Sequence, residues 1–189
     1  MGNQSTVPSF EGQEFFVGID THLKSWEVTV RTLGMEVKTF TMASSASELA
    51  RYLQKNYPGG VYRSVYEAGF GGFWAHRKLR ELGVENIVTN AADVPTRSRE
   101  RDKKKDIVDS RKLARELQNG SLDPIYVPSV AMQDLRSLCR LRRNLKGHST
   151  RLKNRVKQHL HFRGTEIADE FSHWSAPFIA WLETLCPEG

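Results

Sequence analysis

A chain of 189 residues, 39% hydrophobic and 26% charged, has the make-up of a soluble globular protein with room for one full domain and an appendage. No apolar run approaches the roughly 20 residues of a membrane span. The start, Met1-Gly2-Asn3-Gln4-Ser5-Thr6, lacks the regions of a secretory signal, and two cysteines, Cys139 and Cys186, are too few for a disulfide framework or a zinc site. The net charge of +6 and the pI of about 9.4 favour a polyanionic partner. Ten Lys and Arg and no acid lie between Arg136 and Arg163, which leaves the remainder of the chain at −4. The basicity therefore belongs to one element.

Residues 1–13 are small and polar and read as a disordered leader. Phe15 to Asp20 is an apolar run ending in a carboxylate, short enough for a buried central strand. Trp26–Arg31 and Met35–Phe40 alternate with period two around a turn at Gly34, so the three runs form an antiparallel meander. Ser47 opens an amphipathic helix that Pro58-Gly59-Gly60 closes. Val61–Tyr66 is another strand ending in a carboxylate, Glu67. A loop with Gly69, Gly71 and Gly72 follows, then a helix over Phe73–Leu82, a C-cap at Gly83 and a strand over Val84–Thr89. The Gly loop lacks Walker spacing and reads as a turn, not a phosphate cradle. Three antiparallel strands leading into parallel ones through helical crossovers predict an α/β, ribonuclease H-like mixed sheet flanked by helices.

Residues 91–105 look mobile, and Asp106–Leu117 reads as a helix ended by Asn119-Gly120. Pro124 and Pro128 bracket a connector at the domain boundary. Beyond it Leu138, Leu145 and Leu152 recur every seven residues, joined by Leu135, Leu141 and Val156, the pattern of a long helix in a coiled coil. Gly147 is its weak point and a candidate break. Phe171, Trp174, Phe178 and Trp181 follow, with Pro177 suited to a first helical turn. The organisation is thus a leader over 1–13, a catalytic domain over 14–128 and a basic helical arm over 129–189.

The chemistry concentrates in carboxylates. Asp20 and Glu67 end strands that can be neighbours, and Asp106 and Asp109, one helical turn apart, share a face. Four hard oxygen donors together repel one another unless a cation such as Mg²⁺ or Mn²⁺ joins them, and a metal pair there would clamp a scissile phosphate. Lys103, Lys104, Lys105 and Arg111 surround the aspartates, and Arg142, Arg143, Lys146, Arg151, Lys153, Arg155 and Lys157 line the arm. Both sets are candidate nucleic-acid contacts. His159 and His161 are two apart and would point to different sides of a helix, more like solvent or nucleic-acid contacts than metal ligands.

Val17-Gly18-Ile19-Asp20 with Lys24, then Glu67-Ala68-Gly69-Phe70 with Trp74, then Lys105-Asp106-Ile107-Val108-Asp109-Ser110-Arg111-Lys112-Leu113-Ala114, resembles the DEDD transposases. These are insertion-sequence recombinases and pilin-gene invertases with a RuvC-like N-terminal domain. The resemblance covers about residues 15 to 165, departing at Lys105, usually Thr or Asn, and at Ser110, usually Ala. It implies a catalytic tetrad of Asp20, Glu67, Asp106 and Asp109 on Mg²⁺ or Mn²⁺, acting on DNA in the cytoplasm at the nucleoid. It further implies a homodimer or higher homo-oligomer formed through the arm, for some members a structured guide RNA, and no membrane. Family members continue into a domain carrying a nucleophilic serine. The chain stops before it, so Phe178, Trp181 and Leu185 are expected to be exposed toward that region. An ATPase or sugar kinase of the same fold, or a non-catalytic nucleic-acid-binding module, are the alternative readings.

Overall fold

A computed structural model describes residues 9–95, 106–171 and 173–185, the side chains of residues 106–108 and 170 excepted. The chain forms two compact units, Met1–Val127 and Pro128–Gly189.

In the first unit, strands β1 (Glu14–Thr21), β2 (Ser25–Thr32), β3 (Met35–Ala43), β4 (Val61–Glu67) and β5 (Glu85–Thr89) form one sheet in the order β3-β2-β1-β4-β5. β1, β2 and β3 pair antiparallel, while β4 lies parallel to β1 and β5 parallel to β4. This is the mixed ribonuclease H-like sheet that the alternation of the early strands and the later helical crossovers predict. Helices α1 (Ala46–Asn56) and α2 (Trp74–Glu81) follow β3 and β4. They share a core with the inward side chains Phe15, Val17, Ile19, Trp26, Val28 and Tyr66. Helix α3 (Asp106–Gln118) lies on the other face, where Leu113 packs with Val65, Val94 and Leu122.

Local differences from the sequence reading have physical causes. The α1 N-cap is Ser45, not Ser47: its extended backbone lets its hydroxyl accept from the Glu48 N–H at 3.2 Å. Order begins before residue 14, because Phe10 packs edge-on against Phe15 and Tyr57 while its N–H donates to the Pro58 carbonyl. Of the segment expected to be mobile, Ala91–Asp93 forms one 3₁₀ turn, and residues 96–105 lie outside the described residues.

The second unit is built on α4 (Val130–Phe162), capped by Ser129, whose hydroxyl accepts from the Met132 N–H. The helix runs through Gly147 without a break. A glycine penalty of about 1 kcal/mol is small against the hydrogen bonds of so long a helix. A Cβ built at Gly147 meets nothing closer than the Arg151 guanidinium at 3.8 Å. Gly147→Ala is therefore expected to stabilise the arm by about 1 kcal/mol, seen as a higher melting temperature at unchanged helicity; a lower one would refute this reading of the site.

After a 3₁₀ turn at Asp169–Phe171, helix α5 (Ala176–Thr184) starts with Pro177 in its first turn. Phe178, expected to be exposed, is fully buried. Its ring packs against Phe171, Trp174 and Trp181 with centroids 5.0–5.7 Å away, and the Lys157 ammonium lies 6.0 Å from its centroid. The aromatic spacing closes a local cluster within this unit. Leu185 does remain exposed.

Candidate metal centre and nucleic-acid face

The parallel register of β1 and β4 sets Gly18 beside Val65 and Ile19 beside Tyr66, so one step further Asp20 lies beside Glu67. Alternation then puts both carboxylates on the face that carries Val65, the face on which α3 packs. The helix approaches that face closely because β1 has a glycine there. A Cβ at Gly18 would lie 2.0 Å from the Ser110 carbonyl oxygen and 2.5 Å from the Ala114 nitrogen. The Ser110 hydroxyl, buried, sits 2.9 Å from that of Thr29 on β2, which is itself 2.9 Å from the Thr39 hydroxyl. The serine found where an alanine is usual thus ties α3 to the sheet.

Asp109 lies one position before that contact, on an exposed part of α3, and Asp106 is the first residue of the same helix. The side chain of Asp106 lies outside the described residues, as do Lys103, Lys104 and Lys105. Burial raises the pKa of the Glu67 carboxyl above its ordinary value, and the like charges of Asp109 and Asp20 add to the rise, while Lys112 opposes it. Asp20, Glu67 and Asp109 therefore share one electrostatic environment. As they stand, they do not form a closed cage: among the described residues no group of three His, Cys, Asp or Glu is placed to hold a metal ion. Asp20 turns instead to His22, whose Nε2 is 3.2 Å from its Oδ2. In donor chemistry the set fits a hard divalent cation, being oxygen-only and mutually repelling.

Three neighbours carry no sequence signal of their own. Glu27 is the register partner of Asp20 on β2 and accepts a hydrogen bond from the Thr41 hydroxyl. Period two would place it on the α3 face only once the hairpin register is known. Lys112, a buried lysine one turn after Asp109, is the cation that Glu67 feels. His22 is visible only through its contact with Asp20. Beside this edge a cavity of about 290 Å³ is lined by Thr21, Leu23, Trp26, Tyr66, Phe70 and Trp74, among others.

The cationic candidates divide. Arg111 pairs with Glu36 on β3, its Nη2 and Nε each 3.0 Å from Oε1, so this arginine braces α3 against the sheet edge. On α4, Arg142, Arg143, Lys146, Arg151, Lys153 and Arg155 are exposed and Lys157 is half-buried. Lys153 also lies 5.4 Å from the Trp174 ring centroid. His159 and His161 are exposed near the end of the same helix. No helix among the described residues is long and apolar enough to cross a membrane.

The chain is 30% identical over 166 residues to y4rJ of Sinorhizobium fredii (strain NBRC 101917 / NGR234), a protein itself named a transposase by inference; the match spans 79% of this chain and 42% of that relative's length. The RuvC structure of Thermus thermophilus superposes with a TM-score of 0.42 at 14% identity, covering 59% of this chain and 99% of RuvC. The same protein in complex with a Holliday junction substrate gives 0.39 at 13% identity over the same shares. The profile of the DEDD transposases of the IS110 type matches residues 17–163, and the chain belongs to that transposase family.

Proposed function

We propose that this chain is the N-terminal catalytic part of a DNA transposase, performing divalent-metal-dependent phosphoryl transfer on DNA. The observation that carries the reading is the register that sets Asp20 beside Glu67, with Asp109 near enough to raise the Glu67 carboxyl. Asp20, Glu67, Asp106 and Asp109 would hold Mg²⁺ or Mn²⁺. When bound, the metal supplies charge neutralisation at the scissile phosphate and activation of the attacking oxygen. The chain's own residues prepare the ground. Gly18 lets α3 close on the sheet, the Thr29–Ser110 contact fixes its position along β2, and Lys112 offsets part of the carboxylate repulsion.

The arm over 129–189 supplies the grip on polyanion, DNA or a guide RNA, through Arg142, Arg143, Lys146, Arg151 and neighbours of the same sign such as Arg155. The nucleophilic serine that the family resemblance implies is assigned to none of the serines here. Titration of Mn²⁺ into the protein, followed by a structure with Mn²⁺ bound, tests the centre: metal held by these four carboxylates is expected, and metal held elsewhere, or no heat of binding, refutes it.

Nucleic-acid binding by the arm is expected to fall steeply with salt, because each neutralised phosphate releases counterions. Replacing Arg151 with alanine should lower the log–log salt slope by about one and weaken all sequences alike. Binding indifferent to salt would remove the arm from this role.

A further inference from the structure

The cavity beside the carboxylate edge has no part in the metal chemistry, yet it is built on the same two strand ends. Thr21 follows Asp20 and Tyr66 precedes Glu67, each one residue, about 3.8 Å of backbone, away. Strand alternation turns these neighbours to the opposite face. Tyr66 packs in the core with Ala75 and Leu79 of α2, while Glu67 shares the α3 face with Val65. Cavity and carboxylates therefore lie back to back across one sheet edge. His22 joins them, since it lines the cavity and its Nε2 is 3.2 Å from Asp20 Oδ2.

Its walls are aromatic. Trp26 is the buried wall, and the Trp74 ring lies 5.8 Å from it at 33°. Trp74 is 48% exposed and Phe70 72%. Two solvent-facing rings at one cavity mark a place for a ligand with an apolar face. The loop that presents Phe70 is held in shape: the Tyr66 hydroxyl donates to the Gly72 carbonyl at 3.0 Å, and the Gly72 N–H to the Gly69 carbonyl at 3.1 Å. On the other wall the Ser44 hydroxyl donates to the Leu23 carbonyl at 3.0 Å. The cavity is preformed.

Its size narrows the occupant. A volume of about 290 Å³ is at the small end of ligand pockets, which start at about 300 Å³. That admits one flat heterocycle and excludes a duplex or a folded segment. Every nucleobase has a π-face, and aromatic side chains bind it whatever the sequence. A base in a duplex reaches such a cavity only by leaving the stack. A phosphate at the carboxylates would deliver the base of its own strand across the edge, where exposed Lys24 in the β1–β2 turn adds a cation. We propose that the cavity receives one unstacked nucleobase of the DNA strand whose phosphate lies at the carboxylate edge, stacked on Phe70 and Trp74. The choice of strand rests on the proposed function, whereas the base-binding cavity does not.

Two DNA duplexes that differ by one unpaired base, a single-nucleotide bulge, test this with the 189-residue chain. The wild type should bind the bulged duplex roughly 5- to 150-fold more tightly than the paired one, the range for one base–aromatic stack. Phe70 is exposed, so changing it leaves the core untouched. Phe70→Ala should abolish the preference at unchanged affinity for the paired duplex. Phe70→Leu, which keeps apolar bulk without a ring, should abolish it too, and Phe70→Trp should retain it. In protein labelled with 5-fluorotryptophan, deoxyadenosine monophosphate in excess should shift the fluorine signals of Trp26 and Trp74 and not those of Trp174 and Trp181. Deoxyribose 5-phosphate, which has no base, should shift none. A preference that survives Phe70→Ala overturns the proposal, and so does nucleotide that leaves the Trp26 and Trp74 signals in place. A preference shown by a bulged RNA duplex and not by the DNA one overturns the assignment to DNA. Titration of Mn²⁺ separates this site from the metal centre: no heat of binding with the preference intact refutes the carboxylate chemistry and upholds the base site.

Discussion

Gly18→Ala is expected to destabilise the first unit by about 3 kcal/mol, the upper end of ordinary overpacking, because the added methyl meets backbone and not a movable side chain. The contacts it would make, 2.0 Å to the Ser110 oxygen and 2.5 Å to the Ala114 nitrogen, cannot be relieved by a rotamer change. The helix must lift off β1 or the strand must bend. Melting should fall by roughly 6–12 °C. Lifting α3 also draws Asp109 from Glu67, so Mn²⁺ binding should weaken more than a stability loss alone would cause. Gly69→Ala is the control, since it lies two residues beyond Glu67 and its new Cβ would come no closer than 3.9 Å to the Glu67 carbonyl. Equal behaviour of the two variants would refute the close-approach role of Gly18.

That role shows where reading the sequence stops. Gly18 is visible there only as a letter of a motif, because the atoms that require it belong to a helix some ninety residues later. The strands are legible, since their period-two alternation is local and the carboxylates at the ends of β1 and β4 need only the strand order to become neighbours. The N-cap is harder. Ser45 and Ser47 are both capping residues by type, and only the backbone turning extended at Ser45 decides between them. Gly147 misleads because a local penalty was weighed without the cooperativity of thirty-three residues. Phe178 misleads for the opposite reason: its spacing says that the aromatic side chains meet, but not whether they meet one another or a further region.

At the candidate centre, spacing and residue type single out Asp20, Glu67 and Asp109. Their surroundings are set by tertiary contacts. Glu27 reaches the same face through hairpin register, Lys112 through burial one turn beyond Asp109, and Arg111 pairs with Glu36. Charge in the sequence locates cations. It does not say which of them an acid on the same surface has already taken.

Glu67→Gln should reverse the order of stability of variant and wild type according to pH and metal. Burial first, then Asp109 and Asp20, raise the folded-state carboxyl above its unfolded value of 4.5. Below that value both states carry the proton, and the substitution should change stability little. As pH rises, the unfolded chain gives up its proton first, so the folded wild type loses stability from pH 4.5 until its own carboxyl has ionised. The glutamine variant has no such loss and should be the more stable metal-free protein at neutral pH. With Mn²⁺ present the order should invert: the wild type gains stability from the bound ion, while the variant, lacking one anionic donor, binds at least about tenfold more weakly. Melting curves across this pH range, with and without Mn²⁺, carry the test. Parallel curves for the two proteins without metal would mean that the Glu67 carboxyl is not raised in the folded state, and a Mn²⁺ stabilisation that survives the substitution would place the metal away from Glu67.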